Sequence, residues 1–192
     1  MTETKTSTWV DSFVARLKTL PVADRTALKR SLGLPLQEAD AKAAAAFYKV
    51  YQRNSAWDED VCFITACAAA AFHNCGGPEK EFALRLREMG AQSTGVENKL
   101  LQLLDIPRKP ENYFAVKLGR LLRQTLSKGL NVDFAQLLRD LLQWEHPSRF
   151  VQLKWARDFY VKAGGQPDES MESNDADENN ENNENDEIEE TE

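Results

Sequence analysis

Three cysteines and one histidine lie close together in the sequence, and they are residue types that bind zinc. They are Cys62, Cys67, His73 and Cys75. Zinc sites favour short ligand spacings such as C-x-x-C, which this sequence lacks. Cys62 and Cys67 stand five positions apart, so on a helix their side chains diverge by about 140°. We therefore expect buried structural thiols and no metal site.

Motifs that carry catalysis are also missing from the sequence. It has no G-x-S-x-G motif, and the pair Gly76-Gly77 does not fit a phosphate-binding loop. The run 58–60 holds three carboxylates, but acidic residues in the first turn of a helix are explained by the helix dipole. The sequence predicts no catalytic residue, no metal and no cofactor, and we expect that the protein is not an enzyme.

Basic residues between positions 99 and 128 form the most informative group. Arg108 and Lys109 stand on a short connector between Pro107 and Pro110, whose fixed φ angles stiffen it. On a helical wheel the next segment, 113–128, has an apolar side and a basic side. Its apolar side holds Phe114, Leu118, Leu121, Leu122 and Thr125, and its basic side holds Lys117, Arg120, Arg123 and Lys128.

This basic side has no Asp or Glu to pair with its cations. A face of one sign suits a polyanion better than it suits solubility alone, although an ordinary solvated helix face is the alternative. We expect contact with backbone phosphates without sequence readout. Most aromatic residues stand at core-like positions, so no base-stacking platform is predicted. Cations on other segments could extend the face, namely Arg53, Lys80, Arg87, Lys99 and Arg149.

Charge is segregated along the chain, so the net charge of −7 misrepresents most of it. Residues 164–192 hold 13 Asp and Glu and no Lys or Arg, which leaves 18 acidic against 24 basic residues in 1–163. The tail is too polar and too charged to bury a core, so we expect disorder. Its role is solubility or, alternatively, competition with nucleic acid for the basic face.

The sequence suggests neither export from the cell nor insertion into a membrane. Three cysteines cannot form a closed disulfide set, and MTETKTSTWV lacks the apolar core of a signal peptide. No apolar run approaches the roughly 20 residues that a membrane helix needs. We expect a cytoplasmic protein.

Helical spacing of apolar residues recurs through most of residues 1–163 and predicts an all-α protein. The predicted helices cover roughly 9–20, 25–32, 38–52, 59–73, 79–89, 96–104, 113–128, 132–144 and 149–162, with Asp24, Asp58, Asn131 and Ser148 as N-caps. Helix 59–73 is apolar on most sides and is expected at the centre of a bundle. A break at 74–78 predicts two packed helical bundles, 1–76 and 77–163, before the tail 164–192.

Several of these segments, in this order, resemble the CasB family, the small subunit of the type I-E CRISPR Cascade surveillance complex. The resemblance covers roughly 31–162. Its pieces are Ala46-Phe47-Tyr48, Trp57 and the helix after it, the run 93–104, Arg108, Lys117-Leu118-Gly119-Arg120-Leu121-Leu122, Trp144, and Arg149 leading into the last helix.

The resemblance implies a non-catalytic RNA- and DNA-binding subunit in antiviral defence. Its implied partners are the backbone and large subunits of Cascade, a second copy of itself, guide RNA, target DNA and the displaced DNA strand, with no membrane. The implied contacts to nucleic acid are Lys99, Arg108, Arg120 and Arg149, with Arg53, Lys80 and Arg87 as weaker transfers. Gly119 and Asp105 depart from the family pattern because some members are basic there.

Two other classes of protein remain open from the residues alone. One is a helical protein-interaction adaptor whose cations meet an acidic partner. The other is a regulator of duplex DNA, which would need a recognition helix after a tight turn, and no convincing one is present. Salt-dependent binding to single-stranded DNA separates the first of these from the Cascade subunit.

Overall fold

The computed structural model describes residues 3–53, 55–90, 94–109 and 113–161, and this part of the chain is all-α, as predicted. Its helices are α1 Glu3–Lys18, α2 Val22–Arg30, α3 Ala41–Val50, α4 Glu59–Phe72, α5 Phe82–Gly90, α6 Thr94–Leu104, α7 Tyr113–Ser127, α8 Phe134–Leu142 and α9 Phe150–Tyr160. A single 3-10 turn, Leu36–Glu38, lies between α2 and α3. The acidic tail lies outside the described residues.

Helix α4 forms the centre of the core, as its apolar composition predicted. Nearly all of its residues are buried, and it packs against α1, α2, α7 and α8. Its many alanines allow these neighbours to approach closely while phenylalanines such as Phe63 and Phe72 fill the gaps between them. Helix α7, whose outward side is basic, therefore packs through its inner side against α4, which is largely buried.

A second part of the core is built from aromatic rings. Phe114 of α7 packs on Trp144, which packs on Trp155 of α9, and Phe82 of α5 completes the row. The indole N–H of Trp155 donates to the Asp140 carboxylate at 2.7 Å, so this buried polar group is satisfied. The row fixes α5, α7, α8 and α9 relative to one another.

Several helix ends differ from the sequence prediction because more than one nearby residue could act as the N-cap. Side-chain caps come from Asp40 at the start of α3 and from Asp133 at the start of α8, so the predicted cap Asn131 is wrong. Helix α2 begins directly after Pro21, which places Asp24 inside the first turn, where it pairs with Lys49. Asp58 precedes α4 without a side-chain capping bond. Helix α9 begins after Arg149, and Ser148 does not cap it.

The predicted boundary between two bundles falls inside one shared core. Residues 1–162 form one compact unit, in which α1 and α4 pack against α8 and α4 also packs against α7. The division at 76 and 77 stays a prediction. Among the described helices, none is long and apolar enough to cross a membrane.

Candidate nucleic-acid interface

The outward side of α7 carries three of the predicted cations. At about 100° per residue, Arg120 lies about 60° from Lys117 on one side and about 60° from Arg123 on the other. The opposite side, from Phe114 to Thr125, is buried as the wheel predicted. The helix contains no Asp or Glu, so no carboxylate of α7 itself pairs with these cations.

Neutral partners hold the lysines where α6 meets α7. The Lys99 ammonium donates to the Gln124 side-chain oxygen at 3.0 Å, and the Lys117 ammonium donates to the Gln102 side-chain oxygen at 2.8 Å. These two bonds cross between the helices in opposite directions and place both lysines along one seam. Because an amide carries no net charge, the lysines are positioned without being neutralised.

Arg123 is anchored at the other edge of α7. Its guanidinium donates to the Leu32 carbonyl and lies against Gly33, in the turn that follows α2. A carbonyl is also an uncharged partner. Lys99, Lys117, Arg120 and Arg123 thus share one surface, which we call the basic face.

Gly119 explains how α7 comes so close to this turn. A Cβ built on Gly119 would lie 2.3 Å from the Gly33 Cα. The residue is buried, which agrees with its departure from the basic residue that some family members carry here. The missing side chain is what lets Arg123 reach the Leu32 carbonyl.

Two cations next to the basic face were missed by the sequence reasoning. Lys29 and Arg30 are exposed in the last turn of α2, directly before the turn that Arg123 contacts. Within the described residues, neither they nor Arg120 has a hydrogen-bond or ion-pair partner. A pair of basic residues before the break at Gly33 is the available signal, but basic residues are common at helix C-termini, so the pair does not stand out from the sequence.

Arg108 is the main correction to the predicted set, because its side chain is buried. The residue is 2% exposed. Its guanidinium donates to the Trp57 carbonyl at 2.9 Å and to the Leu141 carbonyl at 3.3 Å, and it lies 4.0 Å from an Asp58 oxygen and 3.9 Å from an Asp60 oxygen. Arg108 therefore fixes the α6–α7 connection to α4 and α8, and a nucleic-acid strand cannot reach it in this conformation.

Lys109 stays near the surface on the same connection. Its ammonium lies 4.4 Å from the centre of the Trp57 ring, which is a cation–π distance. Trp57 itself is 58% exposed. The sequence did not predict an exposed indole here, because exposure of a residue in a turn depends on what packs over it.

The other predicted cations are occupied elsewhere. Arg53 pairs with Asp58 at 3.3 Å and lies over the Trp9 ring, and Lys80 pairs with Glu88 at 2.7 Å. Arg87 donates to the Val161 carbonyl. Arg149 donates to the Leu104 carbonyl at 2.8 Å and pairs with Asp105 at 3.2 Å. Arg53, Lys80 and Arg149 are thus paired with carboxylates, whereas Arg87 joins α5 to the residue after α9 through an uncharged carbonyl.

The cysteines have the environment of structural thiols. Cys62 and Cys67 are buried on α4, and burial raises the pKa of both thiols. His73 is exposed and Cys75 is half-buried. Across the described ranges, no group of three or more His, Cys, Asp or Glu side chains is arranged to hold a metal ion.

The geometry defines a class of protein: a helical scaffold with a one-signed surface strip held by uncharged partners. Such a strip can attract a polyanion, and because its cations stand on two packed helices it can follow an extended backbone.

Comparison with known proteins narrows this class. The sequence model for CRISPR-associated protein Cse2 matches residues 24–160. The chain is similar to the CRISPR-associated protein Cse2 of Thermus thermophilus, with 29% identity over 153 residues, 78% of this chain and 86% of that protein. The chain therefore belongs to the Cse2 family.

Solved structures agree with this assignment. The fold is similar to the crystal structure of CasB from Thermus thermophilus, with a TM-score of 0.64, 26% identity, and coverage of 81% of this chain and 97% of that one. It is also similar to a chain of a CRISPR RNA-guided surveillance complex, with a TM-score of 0.63, 21% identity, and coverage of 80% and 92%. The predicted CasB resemblance is confirmed.

Proposed function

We propose that this chain is the non-catalytic small subunit of a type I-E Cascade surveillance complex in antiviral defence. In this role the basic face holds nucleic acid during R-loop formation, above all the displaced DNA strand. Membership of the Cse2 family supports the assembly, and the similarity to a chain of a surveillance complex agrees with it. Guide RNA, target DNA, the backbone and large subunits and a second copy of this chain are its proposed partners, in the cytoplasm.

The observation that carries the proposal is the pairing state of the basic face. Lys99 and Lys117 bond to amides and Arg123 bonds to a carbonyl, while Arg120 has no partner among the described residues. Four charges are therefore uncompensated, and contacts with uncharged groups position three of them. By contrast, Lys18, Lys49, Lys80 and Arg139 are paired with carboxylates.

Phosphate contact alone is sufficient for this role. Guide pairing reads the sequence, so the protein needs to supply only charge and shape to the strand being displaced. Because the exchange of a DNA duplex for an RNA–DNA duplex is nearly balanced, a few phosphate contacts can tip it. The basic face supplies such contacts at a surface that the core helix α4 keeps rigid.

We expect the double variant Lys117→Ala with Arg120→Ala to weaken R-loop retention in the assembled complex. Loss of two phosphate contacts should reduce the slope of log affinity against log salt by about 1.4 for a single strand, at about 0.7 per contact. The measurement is the affinity for target DNA and for the displaced strand over a salt series.

The matched control is Lys18→Ala with Lys42→Ala, which removes the same charge from α1 and α3. This control should retain the wild-type salt slope. A slope that is unchanged in the α7 variant, or reduced equally in both variants, would contradict the proposal. Arg108 is left out of the test because its loss would disturb folding.

A helical protein-interaction adaptor is the second candidate function, and one observation favours it. Helix α9 exposes a row of apolar side chains at helical spacing, Phe150, Leu153 and Tyr160. Exposed apolar rows of this kind are typical of protein contacts. An adaptor would show no salt-dependent binding to single-stranded DNA, so the same salt series separates the two functions.

A further inference from the structure

We propose that Trp57 and Tyr113 form a stacking platform for unpaired nucleobases at the N-terminal end of the basic face. This inference rests on the proposed function and names what the site takes: a single strand with its bases exposed. It replaces the sequence expectation that only backbone phosphates are contacted.

Both rings are exposed and both carry a lysine. Trp57 is 58% exposed, with the Lys109 ammonium 4.4 Å from its ring centre. Tyr113 is 51% exposed, with the Lys117 ammonium 4.9 Å from its ring centre. On the helical wheel Tyr113 lies about 20° from Arg120, so it points to the same side as the basic face. Aromatic rings beside cations, in a groove that follows a phosphate backbone, are the features of single-strand binding surfaces.

A cavity of about 430 Å³ lies beside Trp57 and would receive the base. Leu36, Ile64 and Phe114 line it with apolar surface, and Arg108 and Asp60 bring polar atoms to it. Its volume lies within the range of about 300–1,000 Å³ that is typical of small-ligand pockets. The cavity is therefore large enough for a planar heterocycle, and its lining combines apolar surface with polar residues that also include Gln37, Glu59 and Lys109.

Two polar atoms of residues that line this cavity lack hydrogen-bond partners. The Nε–H of Arg108 and one carboxylate oxygen of Asp60 are both buried and make no hydrogen bond among the described residues. The Arg108 side chain is 1% exposed, and its Nε lies 3.9 Å from the other Asp60 oxygen, which is too long for a hydrogen bond. Because both atoms are buried, a base in the cavity would contact Trp57 and the apolar lining and would not hydrogen-bond to them in this conformation.

Local charge favours a base over a phosphate at this place. Two carboxylates at the start of α4 face two cations, and the pairs are close: Arg53 to Asp58 at 3.3 Å, Arg108 to Asp58 at 4.0 Å and Arg108 to Asp60 at 3.9 Å, while Lys109 also lines the cavity. The third acid, Glu59, accepts a hydrogen bond from the Tyr48 hydroxyl. Burial, and then the Glu59 charge, raise the pKa of Tyr48. The region is close to neutral, and its affinity for a strand must come from stacking.

The position of the cavity beside the basic face favours a nucleobase over a protein side chain as its occupant. The cavity is lined by Phe114 and Ala115, in the first turn of α7, and the basic face continues along the outward side of the same helix. A base held beside Trp57 leaves its own phosphate near Lys109 and the following phosphates along Lys117 and Arg120. The platform and the basic face therefore bind successive parts of one strand.

The test compares two oligonucleotides with the same number of phosphates, using the full-length protein at low salt. One is a fluorescein-labelled single strand of thymidines, and the other is an abasic strand of equal length. We expect the wild-type protein to bind the thymidine strand about tenfold more tightly, since stacking on one aromatic ring has an effect of this order. Trp57→Leu should reduce this preference to nearly one, and Trp57→Phe should retain most of it.

Phe150→Leu is the matched control, because it removes a similarly exposed ring from α9 and should keep the full preference. Circular dichroism checks that each variant is folded. Lys117→Ala with Arg120→Ala should weaken both strands alike, because both carry the same phosphates. Equal affinity of the wild-type protein for the two strands, or a preference that survives Trp57→Leu, would overturn the platform and leave phosphate binding standing.

Two other outcomes would also overturn the platform. Failure to bind either strand would contradict nucleic-acid binding by this chain, and the platform with it. If Trp57→Leu kept the preference for bases but prevented co-purification with the other subunits, the surface around Trp57 would be a protein contact.

Discussion

Replacing Arg108 by alanine is expected to lower the free energy of unfolding by about 3–5 kcal/mol, the usual cost of removing one partner from a buried charge cluster. The substitution leaves the Trp57 and Leu141 carbonyls without a donor and leaves Asp58 and Asp60 facing an empty space. Proteins of this size are stable by only about 5–15 kcal/mol. Thermal unfolding should therefore shift down by roughly 10 °C, at about 2–4 °C per kcal/mol.

Lys109→Ala is the matched control for this prediction, because Lys109 is the next residue and only its cation–π contact is lost. Its unfolding temperature should stay near that of the wild-type protein. If Arg108→Ala were as stable as Lys109→Ala, the buried position of Arg108 would be wrong and it would return to the candidate nucleic-acid contacts.

Gly119→Ala is expected to destabilise the protein by about 1–3 kcal/mol, the range for overpacking a well-packed site. The added Cβ would lie 2.3 Å from the Gly33 Cα and 3.0 Å from its nitrogen, so two backbone segments must separate. Replacing a glycine in a helix interior by alanine normally stabilises the helix by about 1 kcal/mol. Destabilisation here would therefore come from the contact between α7 and the turn at Gly33. Urea or thermal unfolding measures the change.

Separation of α7 from the turn after α2 should also release Arg123 from the Leu32 carbonyl. The control is Gly76→Ala, since a Cβ at Gly76 meets nothing within 4 Å and its stability should change by less than about 0.5 kcal/mol. Equal stability of the Gly119→Ala and wild-type proteins would contradict the close approach of α7 and this turn.

Local sequence patterns were sufficient to predict the helices and to predict which residues of α7 and α4 are buried. The wheel of 113–128 separated buried from outward residues correctly because its apolar residues recur at a period close to that of the helix. The apolar circumference of α4 likewise placed it in the core. Helix ends were less predictable, since Asp133 and Asn131 both suit a cap and only Asp133 has the geometry.

The candidate site depended on contacts between distant segments, and these were not predictable. Arg108 stands on a stiff connector between two prolines and was predicted to contact nucleic acid, but it is buried because Trp57 and Leu141 offer carbonyls from two other segments. Tryptophan is a large aromatic residue that is mostly buried in folded proteins, but Trp57 is exposed. The charge of Lys99 and Lys117 was evident from the sequence, but the amide partners that leave it uncompensated were not.

Acetylation of lysines in the assembled complex, with and without target DNA, tests most directly whether the basic face holds nucleic acid. Mass spectrometry gives the reactivity of each lysine. We predict that R-loop formation lowers the reactivity of Lys99 and Lys117 severalfold, because bound phosphates cover them, while Lys18 and Lys42 on α1 and α3 stay as reactive as before. Unchanged reactivity of Lys99 and Lys117 in a complex that has formed the R-loop would contradict the assignment of this face.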